Sequence, residues 1–453
     1  MAASFFSRES TIAPPDFDRS MVPPAALAVH LSIGQAYAFS TFNLPLTKVV
    51  GITHSAPGDW DLKNVVWTFS IAIAILGLAA ALFGRWVERV GPRLSMFVAA
   101  LCFGGGFIVA AIGVHLHWLW LVYLGYGVLG GCGLGIGYIS PVSTLIKWFP
   151  DRPGMATGMA IMGFGGGALI AAPLSVILMD HFKTATSNGV LETFVTMGVM
   201  YFMFMMIGVY SVRVPAAGWK PAGWTPPMRV QPLVTQAHVA VDVAWRTPQF
   251  WLLWVVLCMN VTAGIGVLGQ ASPMIQEIFS GRVTPASAAG FVGLISLFNM
   301  IGRFVWASTS DYIGRRNTYM IFFALGILLY SSVPTLGHLG NIGLFVAAFC
   351  IILSMYGGGF ATIPAYLRDV FGTMHVGAIH GRLLTAWSVA GVLGPQLMTY
   401  IRESQINSGV PKAQAYSVTM YIMCSLLLIG LICNFCMRAV SEKYHFRAAA
   451  KTA

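Results

Sequence analysis

Charge is what this chain has least of. Only 9% of its 453 residues are Asp, Glu, Lys or Arg, and 57% are hydrophobic. Soluble domains carry about 25% charged residues, so a water-soluble globule is excluded. Acidic groups are the scarcest. Asp16, Asp18, Asp59, Asp61, Glu88, Asp151, Asp180, Glu192, Asp242, Glu277, Asp311, Asp369, Glu403 and Glu442 fall in loops or near the ends of apolar runs, and Glu9 falls in the N-terminal tail. That distribution leaves no deep carboxylate pair for acid–base catalysis, and no nucleophile–base pair is visible either; the chain does not read as an enzyme and needs no cofactor. The seven cysteines are an odd number, all within apolar stretches, which excludes a disulfide framework. Cys433 and Cys436 form a CxxC with no histidine nearby, so no metal site is expected. Residues 1–24 have no apolar core ahead of Pro14-Pro15 and Pro23-Pro24, so they read as an extended arm and not as a signal peptide. The glycine runs at 125–137 and 163–167 have no Gly-Lys-Ser/Thr after them and no strand before them, which excludes a nucleotide loop. Small residues at these positions let membrane helices approach closely.

What the chain has instead is apolar length. Twelve runs are each long enough to span a bilayer as a helix: roughly 25–50, 63–84, 94–114, 118–142, 155–179, 191–213, 249–272, 287–309, 318–337, 341–364, 378–400 and 416–437. The net charge of +11 is no nucleic-acid signal, because the basic residues sit in short loops between these runs. Lys48, Lys63, Lys183, Arg282, Arg402 and Lys412 fall on one face, and nineteen of the 26 Lys and Arg fall on the other. By the positive-inside bias the termini are cytoplasmic. The expected fold class is an all-α membrane protein of twelve transmembrane helices in two six-helix repeats. Its parts are a tail (1–24), a first half (25–213), a Pro-rich central cytoplasmic loop (214–248), a second half (249–437) and a tail (438–453). Tails of that size are too short for the soluble output domain that a membrane sensor would need.

The halves repeat at a constant offset. The segment from Gly84 to Arg93 matches that from Ala307 to Arg316, with Glu88 on Asp311, Gly91 on Gly314 and Arg93 on Arg316; the same offset of 223 carries Pro141 onto Pro364 and Gly158 onto Gly381. Parallel repeats of six spans describe a rocking carrier with its site at the midplane between the halves. Glu88 with Arg85, Arg89 and Arg93, and Asp311 with Arg315 and Arg316, are the expected ion pairs latching one access state.

One charge is out of place. Arg303 lies inside the eighth apolar run, eight residues before Asp311, which reads as the start of a polar turn at the membrane surface. At about 1.5 Å per residue Arg303 is ~12 Å deep, close to the midplane of a hydrocarbon core whose half-thickness is about 15 Å. Asn299 is one turn deeper on the same face. With no acid in reach, the expected counter-ion is the substrate. A guanidinium offers a planar two-pronged fork that suits a carboxylate. Tyr138, nine residues before Lys147, falls at a similar depth of ~13 Å.

The acidic–x–x–Gly–x–Arg turn in both halves, the twelve spans and the long central loop resemble the major facilitator superfamily. Gly34-Gln35-Ala36-Tyr37, Gly137-Tyr138-Ile139-Ser140-Pro141 with Lys147-Trp148-Phe149-Pro150-Asp151-Arg152, Gly163-Phe164-Gly165-Gly166-Gly167 and Asn299-x-x-x-Arg303 further resemble the oxalate/formate antiporter family. That resemblance implies a carrier of small carboxylate anions (formate, oxalate, pyruvate or lactate type) in a bacterial inner membrane, working as a monomer by alternating access. It implies Arg303 as the main anion contact, with Tyr37, Tyr138 and Tyr356 facing the cavity and Gln35 nearby. Two departures matter. Trp387 stands where oxalate-carrying members have lysine, which favours a monoanion over a dianion. Asn299 stands where proton-coupled monocarboxylate transporters often have aspartate, which favours exchange over proton-coupled symport, the alternative. His30 remains a titratable group two turns into the first span, read as a packed hydrogen-bonder. Arg382 is expected near the cytoplasmic mouth.

Overall fold

A computed structural model describes residues 5–225, 233–235 and 237–446. Pro226, Pro227, Arg229, Pro232, Arg447 and Lys451, which contribute to the loop and charge readings above, lie outside them.

The described chain is helical throughout its membrane-spanning part, as the apolar runs demand, because backbone polar groups at bilayer depth must be satisfied internally. The helices are α1 (Val22–Leu46), α2 (Trp67–Val90), α3 (Pro92–His115), α4 (Leu119–Trp148), α5 (Pro153–Phe182), α6 (Val190–Ser211), α7 (Pro248–Ile278), α8 (Pro285–Ile313), α9 (Arg315–His338), α10 (Ile342–Phe371), α11 (Val376–Asn407) and α12 (Ser417–Phe435). Among the described residues, eleven of them have the length and apolarity of a membrane span. The exception is α1, which runs as α-helix over Val22–Ile33, tightens to a 3-10 helix over Gly34–Phe42 and resumes over Asn43–Leu46. Runs of 3-10 helix beyond three or four residues are uncommon and often mark a hinge. The transition falls where α1 is pressed on α5: a Cβ on Gly34 would lie 2.3 Å from the Phe164 carbonyl oxygen.

The internal repeat extends to helix ends. Val90 and Ile313 both end a helix, Pro92 and Arg315 begin one, His115 and His338 end the next, and Trp148 and Phe371 end α4 and α10. Each pair keeps the offset of 223. Gly91 and Gly314 separate their helices with φ of 87° and 85°, a conformation in which any side chain would be strained. These glycines correct one expectation: Asp311 does not open a turn but sits in the last helical turn of α8, and Glu88 likewise in α2. The helices run on until glycine permits the break.

Both tails and the central connection pack at one end of the bundle. Ala13 N–H donates to Val214 O at 2.9 Å, Val239 N–H donates to Phe371 O at 3.0 Å, and Phe446 N–H donates to His238 O at 2.6 Å. The short helix Val241–Ala244 carries Asp242, which is ion-paired to Arg85 of α2 and, at 3.0 Å, to Arg382 of α11.

At this tail end the two halves are closed on one another along α2 with α11 and α5 with α8. Glycine makes both seams tight. A Cβ on Gly381 would lie 2.1 Å from Ala80 O, and one on Gly154 2.2 Å from Ala307 O. The expected Asp311–Arg315 ion pair is present, and the two acids also reach across the seams. Asp311 accepts the Gly154 and Met155 N–H groups at 2.9 and 2.8 Å, where α5 begins, and pairs with Arg315 at 2.5 Å. Glu88 accepts the Gly377 N–H at 3.2 Å, where α11 begins. Gly154 and Gly377 are themselves one repeat apart, so the two acids make equivalent cross-half contacts to helix N-termini, which favour negative charge. Contrary to expectation, Glu88 pairs with Lys147 at 2.9 Å and not with Arg85, Arg89 or Arg93. The position equivalent to Arg315 is Pro92, which has no cation to offer. Arg93 turns away to Phe5 O and the Ser10 hydroxyl at 2.9 and 3.0 Å, and Arg316 turns away to Phe435 O at 2.6 Å, so neither pairs with the acid of its motif.

Replacing Gly381 by Val forces α11 off the α2 backbone. Site-directed thiol labelling of tail-end cysteines in the seam is expected to rise several-fold in Gly381→Val, and Asp311→Asn is expected to shift the same equilibrium by roughly tenfold, from losing about 1.5 kcal/mol of charge-assisted bonding. Unchanged labelling in both variants would rule out these seams as the closure.

Candidate functional site

Arg303 is 1% exposed, in the middle of α8 and against α5. Placing a guanidinium at such depth costs about 2.5–3.5 kcal/mol on insertion scales. Glycine makes the space: a Cβ on Gly165 would lie 2.9 Å from the Arg303 Nε, and one on Gly357 would lie 2.2 Å from Asn299 O and 3.0 Å from Arg303 Cγ. Arg303 Nε donates to Asn299 Oδ1 at 3.0 Å, so the two residues one turn apart do act together, and Nη1 donates to Ile161 O at 3.3 Å. Nη2 is buried without a protein partner. Among the described residues no carboxylate pairs with this guanidinium.

Aromatic rings surround it. The guanidinium carbon lies 5.7 Å from the Tyr37 ring centroid, 5.8 Å from Phe164 and 5.6 Å from Phe360, within the roughly 6 Å range of cation–π attraction. Trp387 of α11 touches the same set, 4.4 Å from Phe360, 5.5 Å from Phe164, 5.5 Å from Tyr138 and 6.3 Å from Tyr37. Phe164 and Trp387 are one repeat apart, so the two halves meet here through equivalent aromatic positions. Tyr37 and Tyr356 approach through their hydroxyls at 3.4 Å. The Tyr138 hydroxyl and the Trp387 indole N–H are both buried and unpartnered. Together with Arg303 Nη2 they make three buried hydrogen-bond donors without a partner among the described residues, set among aromatic rings.

Of the residues singled out from the sequence, Arg303, Asn299, Tyr37, Tyr138, Tyr356 and Trp387 come together here. Gln35 goes elsewhere, accepting a hydrogen bond from Tyr126 at 2.9 Å. Residues two apart on a helix point to different sides, so Gln35 faces Tyr126 within the first half while Tyr37 faces the centre. Arg382 is outside the site, on Asp242. Phe164 and Phe360 were missed as site residues; each is flanked by glycines, Gly163-Phe164-Gly165 and Gly359-Phe360, a signal that a large ring is set where backbones crowd.

Twelve helices in two repeats, with a buried arginine between them, are the architecture of a membrane carrier. The chain belongs to the Major Facilitator Superfamily, whose family model matches residues 25–395. It is similar to the oxalate:formate antiporter of Oxalobacter formigenes, 26% identical over 377 residues, which cover 82% of this chain and 81% of that protein. It is also similar to apicoplast pyruvate carrier 1 of Toxoplasma gondii, 24% identical and covering 86% and 78%, and to human monocarboxylate transporter 11, 23% identical and covering 76% and 70%. Among solved structures, the proton:xylose symporter XylE superposes with a TM-score of 0.65 at 14% identity, covering 94% and 96%. FucP in its outward conformation superposes with a TM-score of 0.62 at 13% identity, covering 92% and 99%. These two establish the fold alone.

Gly165→Val places a side chain where the guanidinium now lies. Transport is expected to fall at least tenfold while the unfolding temperature stays near that of Gly105→Ala, a control whose added Cβ would meet only Leu129 Cδ2 at 3.9 Å. Wild-type transport in Gly165→Val would show that the guanidinium need not occupy this slot.

Proposed function

We propose that the protein is a secondary carrier of small monocarboxylates such as formate, pyruvate or lactate, and that it works by anion exchange through alternating access. The observation that carries this reading is Arg303, a fully buried cation whose only hydrogen-bond acceptors among the described residues are a side-chain amide and a backbone carbonyl. A buried charge with no partner is strongly unfavourable, and a visiting carboxylate supplies what is lacking: two oxygens for Nη2, the Tyr138 hydroxyl and the Trp387 N–H. One cation matches one negative charge, and Trp387 adds a donor without adding charge, which suits a monoanion better than oxalate. The similarity to carriers whose names include formate, pyruvate and monocarboxylate supports the same class.

In this cycle the anion enters from the end opposite the tails while α2–α11 and α5–α8 are closed. It binds at Arg303, and release follows when Asp311 and Glu88 let go of the helix N-termini at Gly154 and Gly377. The charge bias supports cytoplasmic tails, and the similarity to a bacterial antiporter supports a bacterial inner membrane as the setting. The chain acts as a monomer in this scheme, since both halves of the site come from one polypeptide.

Counterflow tests this directly. Proteoliposomes loaded with unlabelled formate, pyruvate or lactate are expected to accumulate labelled substrate against no gradient, and Arg303→Lys is expected to lose at least 90% of that rate, because charge is kept but the fork is lost. Trp387→Lys should raise oxalate competition at least tenfold relative to formate. Counterflow by Arg303→Lys equal to wild type would remove the anion contact from Arg303.

A further inference from the structure

We infer that the first half holds the acyl chain of a membrane lipid in a groove between α1, α5 and α6, and that this chain braces α1 against α5 just ahead of the 3-10 run. This holds whichever anion is carried.

The groove has a volume of about 450 Å³ and is walled by Leu31 of α1, Gly167 and Ala171 of α5, and Met200, Phe204 and Ile207 of α6. Two polar residues also line it, and neither offers it a free group. The Ser32 hydroxyl donates to Ala28 O at 2.9 Å. Tyr201 presents only its ring, because its hydroxyl is buried. Ile170, Met203 and Ile207 are more than half exposed, on spans whose surroundings are lipid. With no polar group to meet a charge or a peptide backbone, hydrocarbon is the chemistry the groove fits.

Size selects among hydrocarbon occupants. Met200 and Ile207 are about 10 Å apart along α6 by helical rise. A volume of 450 Å³ spread over that length is a channel roughly 7 Å across, and a helix with its side chains needs about 10–12 Å. Neither a second copy nor another membrane helix can lie in it, whereas a single unbranched chain can. By the same rise the groove runs from about 6 Å to ~16 Å inside the end of α6 at Ser211. It therefore reaches the midplane of a hydrocarbon core about 30 Å thick from its tail-end side, along the path of a lipid chain in that leaflet. Lipid tails are as apolar as these walls, so the chain gains no hydrophobic free energy by entering. It gains close contact on several sides, with wall atoms that otherwise lack partners.

The floor of the groove is the contact between α1 and α5. A Cβ on Gly167 would lie 2.4 Å from Leu31 O and 2.8 Å from Gly34 Cα. At Gly34 α1 tightens to its 3-10 run, and Tyr37, three residues on, faces the guanidinium. A chain lying on Leu31 and Ser32 holds the last α-helical turn of α1 in place immediately before the segment that carries Tyr37. One repeat on, protein bridges the equivalent place. Trp254 replaces Leu31, and its indole N–H reaches Thr385 of α11 at 2.9 Å. Gly394 replaces Ala171 and lets α7 come close, with a Cβ there 2.7 Å from Thr262 O. The first half leaves to lipid what the second half does with side chains.

The full chain is reconstituted in phosphatidylglycerol vesicles in which a small share of the lipid carries a diazirine midway along one acyl chain. After irradiation, labelled residues are located by mass spectrometry. Labelling at Leu31, Leu174, Met200 and Phe204 is expected to exceed by at least fivefold that at Leu328 of α9 and Ile432 of α12, which are 63% and 55% exposed on other faces. In Ala171→Phe, whose ring fills the groove, it should fall to the level of those faces. Labelling spread evenly over all exposed faces of the wild type would overturn the site. Cross-links between two copies at Met203 in place of lipid adducts would assign the groove to an interface and overturn it too. The brace is read separately, from amide hydrogen exchange over 34–42 in the delipidated full chain before and after phosphatidylglycerol is added back. Exchange should slow at least threefold in the wild type and stay unchanged in Ala171→Phe; no slowing in the wild type, or equal slowing in both, would remove the brace. The wild-type labelling pattern and exchange need no variant, so poor folding of Ala171→Phe leaves both tests intact, and neither readout depends on anion transport.

Discussion

A single guanidinium buried between the two halves, with no acid to answer it, is the constraint around which the structure is arranged. Desolvating that cation is costly, and the protein offsets only part of the cost, with the Asn299 amide, the Ile161 carbonyl and three aromatic faces. Glycines at 165 and 357 exist to let α5 and α10 close over it. The partial solvation is useful in itself. A carrier whose cation were fully satisfied by its own carboxylate would have no reason to bind a visiting one.

The same logic separates the centre from the ends. At the tail end, acids are abundant and fully engaged: Asp311 with two backbone N–H groups and Arg315, Glu88 with Gly377 and Lys147, Asp242 with Arg85 and Arg382. The bonds from Asp311 to the Gly154 and Met155 N–H groups and from Glu88 to the Gly377 N–H cross between halves, Arg315 and Lys147 hold those acids from within their own halves, and Asp242 joins the central connection to both. A buried hydrogen bond to an ionised group is worth about 1.5–3 kcal/mol, and the half-exposed Asp242–Arg85 pair is worth less. The buried bonds are strong enough to hold a closed state and weak enough for substrate binding to release it.

Much of the fold was legible because duplication leaves a register. A fixed offset of 223 gave six spans twice, and the helix ends obey it to the residue. Arg303 and Asn299 were legible because charge and amide are conspicuous in apolar sequence. Phe164 and Phe360 were not, since a phenylalanine facing an arginine and one facing lipid look alike in composition. Asp311 has the Arg315 partner expected of it, but the cation beside Glu88 and the backbone partners of both acids were not legible. Backbone N–H groups at Gly154 and Gly377 carry no side-chain signal, and the intervening Gly91 and Gly314 turn Arg93 and Arg316 away from the acids that sequence proximity suggests. Gln35 was misplaced because two residues along any helix is a change of face, so Gln35 and Tyr37 do not point the same way.

The central claim is that a carboxylate completes the coordination of Arg303. A structure of the wild-type protein determined in saturating pyruvate tests it most directly. The account predicts the carboxylate at about 2.7–2.9 Å from Arg303 Nη2, the distance of a charge-assisted hydrogen bond, with the Tyr138 hydroxyl or Trp387 N–H on its oxygens. Pyruvate bound away from Arg303, with Nη2 still unpartnered, would contradict it.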